Sequence, residues 1–169
     1  MPDDNQLAPL HVFRFRVDFA EDPLSGDADA SRADVELCSG AFSECTGLEV
    51  TMEPKVITAG GRNYGSAQRV GPVTFATVIL RRGMTSTRHL WAWFELVSGG
   101  AYAYRLSATI TMFDTAGQAV LAWRLAKALP VKFKSAELNA RGTEIGIEEL
   151  HIVHEGLTLN SNPGTSLYD

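Results

Sequence analysis

Apolar and polar side chains alternate over residues 11–19, which puts Phe13, Phe15, Val17 and Phe19 on one face and predicts a half-buried β-strand. Residues 20–33 break the pattern. They are rich in Asp, Ala, Ser and Gly, contain Pro23, and predict a loop between strands. A short, interrupted strand is expected over 35–44, and alternation returns after Gly47 in residues 48–53. Pro54 then falls inside a segment that otherwise runs on as a strand through 58. Proline has no N–H to give to a sheet ladder, so this segment belongs at an edge, at a bulge or on an arm leaving the sheet. Residues 60–65, with Gly60, Gly61 and Gly65 around Arg62, Asn63 and Tyr64, predict a hairpin tip, and the β-branched run 73–80 predicts a strand covered on both faces.

The pattern changes period once. Leu90, Trp91, Trp93, Phe94 and Val97 supply the apolar positions of a helix, with Thr85, Ser86 and Thr87 as N-cap candidates and Gly99–Gly100 as its stop. Strands resume over 101–113 and 119–129 around the turn Asp114–Gly117, a hairpin whose second arm Pro130 is expected to break. Residues 131–134 alternate again. A last strand is expected over 143–154, closed by Glu155 and Gly156. The fold class is mainly β: an antiparallel β-sandwich or partly closed barrel with one flanking α-helix and a long hairpin arm. The expected organisation is a single domain over 1–159, with an acidic insertion at 20–34, and a polar C-terminal tail over 160–169.

A length of 169 residues suits one domain, and 45% hydrophobic residues suffice for a core. No apolar run reaches the ~18 residues of a membrane span. The acidic start Met1-Pro2-Asp3-Asp4 is followed by no apolar stretch of the secretory kind, so folding in the cytoplasm is the expectation, with no membrane binding of its own. The formal charge is −5, from 15 Lys+Arg against 20 Asp+Glu, which argues against a protein that neutralises nucleic-acid phosphates. Asp18, Glu21, Asp22, Asp27, Asp29, Asp34 and Glu36 crowd one segment against Arg32 alone, the composition of a solvated loop. Cys38 and Cys45 could bridge in an oxidising compartment; a reducing one favours two free thiols.

No constellation for catalysis emerges. His151 and His154 are three apart, which on a strand places them on opposite faces and unable to share a metal ion. His89 sits beside Leu90 and Trp91 as an amphipathic surface residue. Gly60, Gly61, Gly65 and Gly71 lack the Gly-Lys-Ser/Thr and the following helix of a phosphate loop. Cys45 has no histidine near it in sequence, and Glu148 and Glu149 point to opposite faces of a strand. Neither a cofactor nor a metal is expected. Arg81 and Arg82 form the densest basic spot, with the character of ion-pair partners that fix register across a contact.

Taken in order, Phe42–Glu49, Gly60–Asn63, Val78–Met84, Leu90–Phe94 and Ile147–Leu157 resemble the tail-tube protein family of contractile phages and extracellular contractile injection systems, over about residues 12–157. The resemblance implies a β-sandwich or barrel that forms hexameric rings stacked into a hollow conduit, with neighbouring strands joined into one inner sheet and a hairpin arm reaching the adjacent ring. Carried over, residues 49–59 and 66–73 are the two sides of that arm, with Arg62, Asn63 and Tyr64 at its tip. The subunit-contact residues then expected are Glu49, Met52, Lys55, Arg62, Asn63, Tyr64, Arg69, Arg81 and Arg82. Further partners implied are a sheath protein, baseplate hub or spike proteins, and the cargo in the lumen. The acidic insertion departs from a plain tube subunit and leaves two places open, the bulk of the tube and the tube-initiating ring at the baseplate. From the residues alone, two other classes compete. A non-catalytic ligand-binding β-barrel module needs a preformed apolar cavity, and a hydrolase needs a nucleophile and a base brought together by folding.

Overall fold

The computed structural model describes residues 10–12, 14–24, 42–61, 64–161 and 163. Phe13, Cys38, Arg62 and Asn63, most of the acidic insertion and most of the C-terminal tail lie outside the described residues. Among the described residues eleven strands and one helix follow in order: β1 (Phe15–Glu21), β2 (Glu44–Thr46), β3 (Val50–Met52), β4 (Lys55–Ile57), β5 (Ala67–Arg69), β6 (Val73–Phe75), β7 (Val78–Gly83), α1 (His89–Ser98), β8 (Leu106–Phe113), β9 (Ala119–Lys134), β10 (Ile147–Val153) and β11 (Gly156–Asn160). All the pairings are antiparallel.

The body has two layers joined through β9, and among the described residues they do not close into a barrel. The first layer runs β1-β8-β9-β11 and the second β9-β10-β7-β2. Alternation decides which side chains enter the space between them. Val17 and Phe19 of β1, Ala108 and Ile110 of β8, and Leu125 of β9 meet Val78 and Leu80 of β7 and Leu150 and Ile152 of β10. Each fully buried side chain of this size is worth on the order of 1.5–3 kcal/mol. Helix α1 adds Leu90 and Trp93, and the Trp93 ring stands edge-on to Phe19 with centroids 5.6 Å apart.

Four sequence expectations change. Pro130 does not end its strand: β9 is continuous over 16 residues, and Pro130 sits where the strand leaves the first layer for the second, beside a register shift between His151 and Ile152. At that bulge the missing N–H costs no regular ladder bond. The run 73–80 is two strands: β6 belongs to the arm, and only β7 enters the body. Helix α1 begins after Arg88 with no side-chain cap, because the Thr85 and Thr87 hydroxyls bond to each other at 2.7 Å. Its end is as anticipated, with Gly100 at φ +117°, a conformation glycine adopts without steric cost. Finally, the strand expected from 143 begins only at Ile147, and Gly156–Asn160, where no strand was expected, forms β11 on β9.

The crossing in β9 is held by a polar hub. Lys127 has φ +52°, a left-handed conformation that costs a non-glycine residue roughly 1–2 kcal/mol. Its backbone N–H donates to Asp22 Oδ2 at 3.0 Å, and its ammonium donates to Asp22 Oδ1 at 2.7 Å and to the Pro23 carbonyl at 2.6 Å. Arg105 donates to the Lys127 carbonyl at 3.3 Å. These bonds tie the end of β1 and the approach to β8 to the bend. The Lys127 ammonium also holds the Asp22 carboxyl below its usual range.

Candidate assembly surface

Residues 50–57 and 67–75 leave the body as a two-stranded ribbon. Val50 faces Phe75, Thr51 faces Thr74 and Met52 faces Val73. One side of this pair is therefore all apolar and the other all threonine. Beyond Glu53–Pro54, Lys55 faces Arg69, Val56 faces Gln68 and Ile57 faces Ala67. The strands come close at the join: a Cβ on Gly71 would lie 1.9 Å from the Glu53 carbonyl oxygen, so only glycine fits. At the root, the Ala76 N–H donates to the Glu49 carbonyl, and the Phe75 ring lies 5.1 Å from that of His154. His154 is buried and donates from Nδ1 to the Gly156 carbonyl; burial lowers its pKa.

The ribbon exposes what a soluble surface normally hides. Val50, Met52, Val56, Ile57, Val70 and Val73 are all about half or more exposed, and Tyr64 near the tip is 97% exposed. Among the described residues β3 and β6 pair only with each other, as do β4 and β5. A lone two-stranded hairpin is marginal in water. Among the described residues the body also ends in unpaired strand edges: β1 pairs with β8 on one side only, β11 with β9 only, and β2 with β7 only.

Arg81 and Arg82 lie on β7, away from the ribbon, and both are engaged within the chain. On the outer face of the second layer, register aligns Glu44, Arg81, Glu149 and Lys134 across four strands. Arg81 bonds Glu149 and Glu44 at 2.9 Å each. His151 and then Arg81 hold the Glu149 carboxyl low by hydrogen bonding to it. On the inner face Arg82 pairs with its register partner Glu148, both nearly buried, with the guanidinium 5.9 Å from the Phe42 ring centroid. Of the other sequence candidates, Glu49 is exposed at the arm's root, Met52 lies on its apolar side, and Lys55 and Arg69 oppose one another further out.

No group of three metal-capable side chains occurs among the described residues. Cys45 is a free thiol that burial pushes up to about 11, a poor nucleophile at neutral pH. An open groove of about 1230 Å³ lies between residues 134–147 and the edge of the second layer, with charged groups on its rim. Sequence reasoning missed this groove and the β11 edge. For β11 the signal was present in Leu157 and Leu159 alternating with Thr158 and Asn160. For the groove there was none, since residues 135–146 show no period.

The model of the T4-like virus tail tube protein gp19 family matches residues 11–158. No curated protein sequence matches the chain. Among solved structures, a chain of the anti-feeding prophage baseplate superposes with a TM-score of 0.77 at 21% identity, covering 94% of this chain and 99% of that one. A chain of the sheath–tube complex of an extracellular contractile injection system, PVC, in its extended state gives 0.71 at 19% identity, covering 90% and 92%. A chain of the anti-feeding prophage tube-terminating cap gives 0.73 at 17%, covering 94% and 95%. These likenesses establish a common fold. With its matched span taking in β1 through most of β11, the chain belongs to the T4-like virus tail tube protein gp19 family.

Proposed function

We propose that this protein is a non-enzymatic structural subunit of the inner tube of a phage-like contractile particle, working as hexameric rings that stack into a hollow conduit. The observation that carries the proposal is the ribbon, where Val50, Met52 and Val73 on its apolar side stay about half exposed and only Phe75 at the root packs on the body, against His154. The layer β1-β8-β9-β11 supports ring formation. Its strands alternate in direction, so β11 of one copy set beside β1 of the next continues the antiparallel order. Such a contact uses two different edges, is heterologous, and closes into a ring when the rotation fits. Closure also removes the exposed edges that otherwise invite aggregation. The chain then serves as a passive wall, assembled in the cytoplasm, with a sheath around it, baseplate hub or spike proteins at one end and cargo in the lumen. The composition of the ribbon and edges suits the bulk of the tube and the initiating ring equally.

The test is excision of the ribbon. Val50 and Phe75 are register partners, so an Asn-Gly turn replacing residues 51–74 joins them as a tight hairpin and leaves Phe75 on His154. Electron microscopy and sedimentation are expected to show rings or short stacks for the full chain and folded, non-stacking protein for the excised variant. Stacks of normal length from that variant overturn the assignment of the ribbon.

A further inference from the structure

The ribbon's outer half carries a mismatch that points to its partner. Lys55 and Arg69 are directly opposite across β4 and β5, where like charges destabilise a ladder. Neither has an ion-pair partner among the described residues, and Ile57, on the same side of the ribbon, is 46% exposed. A surface that accommodates this side must offer carboxylates next to apolar side chains.

Among the described residues the groove beneath residues 135–146 has that composition. Glu137 and Glu144 on its rim are exposed and have no ion-pair partner among the described residues. Leu138 and Ile145 beside them are 87% and 79% exposed, unusual for leucine and isoleucine on a loop with nothing over it. The other two carboxylates of the groove, Glu44 and Glu149, are engaged by Arg81 and so form a fixed wall. Lys134 and Arg141 share the rim, so the match is to two particular carboxylates rather than to a broad negative field. At about 1230 Å³ the groove exceeds the roughly 300–1,000 Å³ of small-molecule pockets and is open along its length, as a chain segment requires.

We infer that the β4–β5 ribbon of one copy seats in the groove beneath residues 135–146 of a second copy, with Lys55 and Arg69 against Glu137 and Glu144 and Ile57 against Leu138 and Ile145. This rests on the tube-subunit proposal and names the acceptor surface within it. Ribbon and groove are different patches, so each copy gives one and receives one, the arrangement that propagates an assembly instead of ending it as a dimer. The charges set register and the apolar side chains hold the contact.

A charge swap tests the contact. K55E/R69E and E137K/E144K, each made alone, are expected to lower the fraction of protein in rings or stacks about tenfold or more at physiological salt, with unchanged circular dichroism and monomer melting. The four changes together restore the opposite signs across every contact, and assembly is expected to recover to within about threefold of the unmodified protein. Assembly unaffected by either pair, or a fourfold variant as defective as its worse half although the unmodified protein assembles, overturns the acceptor assignment and leaves the tube proposal standing. Unmodified protein that stays monomeric at high concentration overturns both.

Discussion

Lys127 is held in a strained backbone conformation by one carboxylate, so the stability of the bend is linked to the charge on Asp22. The folded-state pKa of Asp22 is depressed below 3.8. Its contribution is therefore complete above that value and is lost as pH falls through the folded pKa. Replacing Asp22 with Asn is expected to destabilise the protein at neutral pH, with the difference shrinking steadily as both proteins are titrated below about pH 3.9 and unfolding is followed in urea. A difference that persists unchanged at the lowest pH rules the charge out as the source. None of this was legible in the sequence. Asp22 looked like one acid among seven in a solvated segment, and Lys127 like an ordinary strand residue. Only folding brings them together across 105 positions. By contrast, the opposite facings of Glu148 and Glu149 followed from strand periodicity alone, and the structure puts Glu148 on the core side against Arg82 and Glu149 outside with Arg81 and His151.

A strand with strict alternation was the most legible element, because a single buried face fixes both its type and its orientation; β1 is of this kind. The ribbon was legible for another reason, since Pro54 in an otherwise regular strand can be tolerated only off the main ladder. Elements decided by long-range pairing were not. The continuity of β9 through Pro130 depends on a bulge in its partner β10, and β11 exists because β9 presents an edge to it. The helix was recognisable from its aromatic spacing, yet its side chains differ in role: Trp93 is fully buried, while Trp91 is 44% exposed and leans on Phe133 at 5.5 Å. Trp93→Ala is expected to cost about 3–5 kcal/mol in denaturant unfolding, whereas Trp91→Ala is expected to cost clearly less. Equal losses at the two positions contradict this packing of α1.

At the scale of the whole molecule, three strand edges and a ribbon with exposed apolar side chains have no partner strand among the described residues, and the proposed assembly completes them with sister copies. Stability is then coupled to mass action, because anything that binds only folded protein raises its melting temperature. Melting is expected to shift upward with protein concentration for the full chain and to become independent of concentration for the variant lacking residues 51–74; a full chain with no such dependence argues against mutual completion. Periodicity predicted that the chain is a β-rich single body with an arm, but not which surface receives that arm, since acceptor loops carry no repeating pattern. The bend at Lys127 has a mechanical corollary. Because the same 16-residue strand serves both layers, a load applied to one wall reaches the other through covalent backbone. The two sheets therefore cannot slip past each other without unwinding that strand, which suits the wall of a tube that must hold its shape under axial load.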